Sequence, residues 1–235
     1  MKIVITSCWH LDLKLGGYDP HSDILRAARQ VIDETQGADL FVHLGDLFET
    51  PKPSPRAYAT AIELLNQCGC PAVVLEGNHD QDALEPLSEI EFPNEVRIID
   101  GAQALGIGDK KFAFIPYLID RTARELADVT AQEWVNIEFD ACRRAHEDDV
   151  IGEYRIDAVF CHLDVEGAEL PSGQTMFGGD LRMPVDVAKK LPVPVFNGHI
   201  HRRQKLEPNI WITGSLIPTD FGERYDEKSY VVAEI

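Results

Sequence analysis

Leu40-Phe41-Val42-His43-Leu44-Gly45-Asp46-Leu47-Phe48 decides the fold class. An apolar run that stops at Gly-Asp reads as a buried strand whose carboxyl end releases one carboxylate, Asp46, into a loop. Gly-Asp after a strand is, by itself, most often a plain turn. The weight comes from repetition. The same pattern of apolar strand and polar tip recurs at Ile3-Val4-Ile5-Thr6-Ser7-Cys8-Trp9-His10, at Val73-Val74-Leu75-Glu76-Gly77-Asn78-His79-Asp80, at Ala158-Val159-Phe160-Cys161-His162 and at Val195-Phe196-Asn197-Gly198-His199-Ile200-His201. In open α/β sheets such tips meet at the carboxyl edge, where ligands bind.

Helical patterns lie between the strands. Residues 23–35, with Ser22 offered as N-cap, bring Ile24, Ala27, Ala28, Val31 and Ile32 to one face, and residues 55–68 open on Ser54-Pro55 as N-cap and first helical residue. The result is two successive βαβ units with parallel pairing. From residue 92 to 116 the pattern changes to short strands (96–99, 104–107, 112–115) that suggest an antiparallel or mixed portion. Thr130-Ala131-Gln132-Glu133 fits a capping box opening a helix to about residue 147, with a solvated end over 143–149. A short helix near Pro184 and closing strands within 211–215 and 229–235 complete the reading.

At 235 residues with 44% hydrophobic content, the chain suits one large α/β domain over 1–235. Met1-Lys2-Ile3-Val4-Ile5 runs straight into a strand without a signal-peptide stretch, and no window approaches membrane-spanning length. The five cysteines are odd in number and scattered, so a disulfide framework is not expected. Together these features predict a cytoplasmic protein with no membrane association. The formal charge of −18, from 40 acidic against 22 basic residues, opposes wrapping a nucleic acid.

The strand tips collect Cys8, His10, Asp46, Asn78, His79, His162, His199 and His201. Imidazole nitrogens mixed with carboxylate and amide oxygens suit Mn²⁺, Fe or Zn²⁺ and are too nitrogen-rich for Mg²⁺ or Ca²⁺. Asp46, with two carboxylate oxygens, is able to bridge two ions. Two ions roughly 3.5 to 4 Å apart clamp a phosphate and yield hydroxide from a shared water at neutral pH, which is phosphoester hydrolysis.

The series Gly45-Asp46, Gly77-Asn78-His79-Asp80, His162 and Gly198-His199-Ile200-His201 resembles the calcineurin-like metallophosphoesterase superfamily. More narrowly, Gly45-Asp46-Leu47-Phe48 with Pro53-Ser54-Pro55, then Gly198-His199-Ile200-His201-Arg202, Gly214-Ser215 and Phe221-Gly222-Glu223, is similar to the SbcD-type nucleases and their double-strand-break-repair relatives. The resemblance covers nearly the whole chain. It implies an α/β fold, a two-layer sandwich of mixed β-sheets flanked by helices, with Mn²⁺ as the preferred ion. It also implies hydrolysis of a phosphodiester substrate, whether DNA, RNA or a nucleotide. Carried over position by position, Cys8, His10, Asp46 and His201 surround one ion, and Asp46, Asn78, His162 and His199 the other. His79 is the catalytic proton donor to the leaving oxygen, or stabilises the phosphoryl charge. Arg202 is the candidate substrate contact.

Three departures from the family pattern qualify this picture. Cys8 stands where the family has Asp, which moves metal preference toward Zn²⁺ or Fe. Glu49 stands where SbcD-like enzymes carry a histidine linked to nuclease action. The chain ends at Ile235, where such relatives continue into a DNA-capping domain and a tail that docks their ATPase partner, so an SbcC-like partner is not expected. Two further readings follow: a broad small-molecule or cyclic-nucleotide phosphodiesterase, and a scaffold that lost turnover when Cys8 replaced Asp.

Overall fold

The computed structural model describes residues 1–118, 128–147 and 155–235. Its first sheet orders β11-β1-β2-β3-β4, from β1 (Lys2–Thr6), β2 (Leu40–His43), β3 (Ala72–Leu75), β4 (Val96–Ile99) and β11 (Val231–Glu234). The second orders β5-β6-β7-β8-β10-β9, from β5 (Gln103–Ile107), β6 (Lys110–Ile115), β7 (Ala158–Cys161), β8 (Val195–Asn197), β9 (Gln204–Glu207) and β10 (Ile210–Ile212). Both sheets are mixed. Strands β1 to β4 run parallel with β11 antiparallel at the edge, while β6, β7, β8 and β10 run parallel between the antiparallel β5 and β9.

Strand periodicity explains the layers. Ile3 and Ile5 of β1, Leu40 and Val42 of β2 and Val73 of β3 face Phe112 and Phe114 of β6 and Phe160 of β7 in a shared inter-sheet core. The alternate residues, Val4, Phe41 and Val74, face outward onto helices α1 (His21–Glu34) and α2 (Pro55–Gln67). On the far side Ala113, Val159 and Val195 pack on α4 (Ala131–Glu147) and α5 (Val185–Ala188), and a short α3 (Glu85–Ser88) lies against β4. Burial on both faces is why these strands read as continuous apolar runs.

Most expected boundaries hold within a residue or two. The Ser54 hydroxyl accepts from Ala57 N at 3.2 Å, and Thr130 with Glu133 forms the reciprocal capping box. Helix α1 departs from expectation. It starts at His21 after Pro20, and Ser22 lies inside it. The 92–116 portion takes the mixed form of the two expected: β4 extends the first sheet in parallel beside β3, and β5 and β6 form an antiparallel hairpin. The proposed helix end beyond residue 147 lies outside the described residues. Among the described residues no helix is long and apolar enough to cross a membrane, and all five cysteines are free and buried.

Two buried polar groups stand behind the strand tips. Asp80 is wholly buried and binds two loops at once. Its Oδ2 accepts from Asp46 N at 2.8 Å, Gly77 N at 2.9 Å and Leu47 N at 3.3 Å, and its Oδ1 from Phe48 N at 2.8 Å. Burial, then the Asp46 charge, pushes its carboxyl up to about 6. His43, at the end of β2, is buried with neither ring nitrogen hydrogen-bonded, its ring edge-on to Trp9 at 4.9 Å between centroids. Burial pushes this imidazole down to about 3.

These groups yield two predictions. Asp80→Asn exchanges one accepting oxygen for a donor facing backbone N–H groups, and costs about 3 kcal/mol in urea denaturation; an unchanged midpoint contradicts the clamp. The native state cannot protonate His43 between pH 7 and 5 whereas the unfolded chain does, so this residue removes stability as pH falls. His43→Leu therefore raises stability at pH 7 by about 1 kcal/mol, and its advantage over wild type grows by about 2 kcal/mol at pH 5. A pH-independent difference contradicts the assignment.

Candidate metal centre

All the expected side chains emerge from carboxyl ends of strands. Sheet one sends Cys8 and His10 from β1, Asp46 from β2 and Asn78 and His79 from β3, and sheet two sends His162 from β7 and His199 and His201 from β8. The backbone bends sharply at these tips. Cys8 (φ 53°), His10 (φ 49°), Asp46 (φ 57°) and His199 (φ 65°) are all left-handed, at about 1–3 kcal/mol each for a residue bearing a Cβ. Two glycines allow the close approach. A Cβ on Gly77 would lie 2.2 Å from Asp46 Oδ1, and one on Gly45 would lie 2.4 Å from His162 Nδ1.

Each imidazole has one nitrogen committed outward. His162 Nδ1 donates to Leu44 O at 2.5 Å. His10 Nδ1 lies 2.8 Å from Glu49 Oε2, His199 Nε2 3.0 Å from Asp164 Oδ1 and His201 Nδ1 2.8 Å from Glu223 Oε1. With those nitrogens carrying the hydrogens, the other four are bare lone pairs, and all four point into one cleft. There His10 Nε2 meets His201 Nε2 at 3.1 Å, and His199 Nδ1 meets His162 Nε2 at 3.3 Å. Asn78 Oδ1 lies 2.9 Å from His199 Nδ1 and 3.1 Å from His162 Nε2. Asp46 Oδ2 lies between the two halves, 3.2 Å from His162 Nε2 and 3.9 Å from His10 Nε2.

With the rings neutral these six atoms present lone pairs to one another, and a cation among them satisfies all six, so the donor set fits a metal on its own geometry. Ligand atoms of Cys8, His10 and His201 lie within 4.8 Å of one another, as do those of Cys8, Asp46 and His162 and those of His10, Asp46 and His79. Cys8 thus reaches both halves, where the sequence assigned it to one.

The electrostatics follow. Burial would push the Asp46 carboxyl up, but the facing His162, His10 and His79 rings hold it below the ordinary carboxylate range. Burial and the Asp46 charge push the Cys8 thiol well up. Burial lowers His10, partly offset by Glu49. At His162 burial works to lower the imidazole, but the charge and hydrogen bond of Asp46, with the Leu44 carbonyl and Asp80, together raise it.

His79 stands beside this set. Its backbone N–H donates to Asp46 Oδ1 at 3.0 Å, its Nδ1 lies 2.8 Å from Glu49 O, and its ring is perpendicular to His10 at 5.0 Å. Arg202 is bound to Glu169 at 2.7 Å, with Asp226 at 3.9 Å. Of the other local cations, Arg56 pairs with Asp19 and Arg182 with Glu166.

Sequence reasoning missed the supporting carboxylates. Asp164 follows His162 by two residues and also accepts from Leu181 N at 3.2 Å. Glu223, on a 3₁₀ turn (Phe221–Tyr225), is buried and takes Lys228 Nζ at 2.6 Å and Thr219 Oγ1 at 2.8 Å besides His201. Burial alone would push Glu223 up; His201 and Lys228 hold it below its usual range. A signal for Glu223 was present, since Phe221-Gly222-Glu223 formed part of the resemblance without an assigned role.

The profile of the family described as calcineurin-like phosphoesterase matches residues 1–203. The SbcD component of the SbcCD nuclease of Staphylococcus epidermidis is 26% identical over 254 aligned residues, taking in 100% of this chain and 66% of that protein. Protein 244L of Invertebrate iridescent virus 6, named as an inferred phosphoesterase, is 25% identical over 229 residues, 88% of this chain and 71% of its own length. The chain thus spans only part of the length of both relatives. Among solved structures, a novel archaeal phosphodiesterase superposes with a TM-score of 0.41 at 14% identity, covering 92% of this chain and 84% of that one. A profile match over residues 1–203 of 235, on a pair of mixed sheets flanked by helices, shows that this chain belongs to the calcineurin-like phosphoesterase family.

Proposed function

We propose that the chain is a metal-dependent phosphodiesterase acting on nucleic-acid or nucleotide phosphodiesters through a dinuclear centre. The observation that carries this reading is the set of four imidazole nitrogens converging on Asn78 Oδ1 and Asp46 Oδ2 in one cleft. Cys8, His10, Asp46 and His201 hold the first ion, and Asp46, Asn78, His162 and His199 the second. The position of Asp46 Oδ2 between His162 and His10 supports its bridging role.

Divalent ions held there supply Lewis acidity toward a phosphoryl oxygen and toward water. The remaining work belongs to the chain. Glu49, Asp164, Glu223 and the Leu44 carbonyl fix the ring orientations. Asp80 fixes the two loops that carry Asp46 and Asn78. His79, whose Nδ1–H donates to the Glu49 carbonyl, would give a proton to the leaving oxygen from Nε2 in its imidazolium form and regain it from solvent.

Mn²⁺ is the ion expected for the second half, with its two oxygens and two nitrogens, and the soft Cys8 sulfur favours Zn²⁺ or Fe in the first. The inter-sheet core supports reading 1–235 as one domain, and five free, buried cysteines fit the reducing cytoplasm.

The test is hydrolysis of bis-p-nitrophenyl phosphate with added Mn²⁺. Wild type turns over and Asp46→Asn loses at least 100-fold; equal rates, or no turnover by wild type under any of Mn²⁺, Zn²⁺ or Fe²⁺, contradict the proposal. Cys8→Asp, which puts a hard oxygen where the thiol stands, raises the Mn²⁺-dependent rate; an unchanged or lower rate shows that Cys8 does not weaken Mn²⁺ binding.

A further inference from the structure

Glu49 touches two rings of the site at once. Its carboxylate lies 2.8 Å from His10 Nδ1, and its own main-chain carbonyl lies 2.8 Å from His79 Nδ1. His10 and His79 come from different strands, and their rings stand perpendicular at 5.0 Å. Glu49 N in turn donates to Leu11 O at 2.9 Å, on the segment that carries His10. One residue therefore fixes the outward nitrogen of a metal-facing ring and that of the ring placed to deliver a proton. His10 is buried, and the Glu49 side chain is 28% exposed.

On the dinuclear reading above, we infer that Glu49 is a positioning residue that selects the His10 tautomer and tightens the first metal site. A carboxylate charge 2.8 Å from Nδ1 favours the hydrogen on that nitrogen, leaves Nε2 as the donor to the ion, and makes Nε2 more basic. The contact faces a half-site whose other members, Cys8 and His201, include a thiol that must lose its proton to bind. Of the three carboxylates behind the imidazoles, Glu49 is the one whose removal spares the fold. Asp164 and Glu223 each accept backbone N–H groups as well. The Glu49 side chain holds His10 alone among the described residues, while its carbonyl hold on His79 survives any substitution.

The experiment is calorimetric titration of Zn²⁺, and separately Mn²⁺, into wild type, Glu49→Gln and Glu49→Ala, with the His10 ring nitrogens followed by ¹⁵N NMR. Wild type binds two ions. Both variants weaken one binding step by about 10- to 100-fold and leave the other within about twofold, and in the metal-free variants the His10 signals move from a single Nδ1–H tautomer to a mixture. Unchanged affinities with an unchanged tautomer make Glu49 a loop carboxylate only and overturn the inference while leaving the dinuclear reading intact. Equal weakening of both steps assigns it a general structural role and overturns the inference too. A wild type that takes up no ion overturns the reading and the inference together.

Discussion

Lone pairs facing lone pairs are the constraint on which the site depends. Four imidazole nitrogens, an amide oxygen and a carboxylate oxygen converge from five strands, and each imidazole has a carboxylate or carbonyl oxygen close behind its other nitrogen. Such a cluster is repulsive in isolation, and the fold holds it together by other means. Asp80 binds the Asp46 and Asn78 loops through four backbone N–H groups. Asn197, buried on β8, braces the His162 segment by accepting from Leu163 N at 3.0 Å and donating to Leu163 O at 2.9 Å. Left-handed backbone at Cys8, His10, Asp46 and His199 adds strain at the same place. Strain and like-sign contact gathered in one pocket mark a surface shaped for a ligand rather than for stability.

The sandwich explains why residues so far apart in sequence meet. Each sheet is parallel at its centre, so its carboxyl ends lie on one edge, and the shared core of Phe112, Phe114 and Phe160 against Ile3, Ile5 and Val42 aligns the two edges. Sheet one supplies the harder and bridging groups together with Cys8; sheet two supplies His162, His199 and His201. Consecutive histidines of the second sheet divide their labour. His199 turns Nδ1 toward Asn78 and His201 turns Nε2 toward His10, with Ile200 buried between them.

Much of this was legible in the chain because it depends on local pattern. An apolar run ending in a polar tip specifies strand, exit and ligand together, and the Ser54 and Thr130 caps sit where their side chains announce them. The parallel pairing of β4 was not legible, since strand direction depends on which edge is vacant and not on residues 96–99 themselves. Nor were the partners of the imidazoles. Glu49 is 39 residues from His10, Asp164 is 35 from His199 and Glu223 is 22 from His201, and no spacing rule joins such pairs. A carboxylate that orients a histidine looks, in sequence, like any acidic residue in a chain that has 40 of them.

The acidity of the chain and the ion pairs that occupy Arg56, Arg182 and Arg202 leave the pocket itself as the principal attraction for a phosphoester. That places the whole account on the cations. Crystals grown with Mn²⁺ and measured on both sides of its absorption edge test this most directly. The account predicts two anomalous peaks, one among Cys8, His10 and His201 and one among Asn78, His162 and His199, with Asp46 touching both. An anomalous map without density in that cleft, or with its side chains turned away from a single ion, contradicts it.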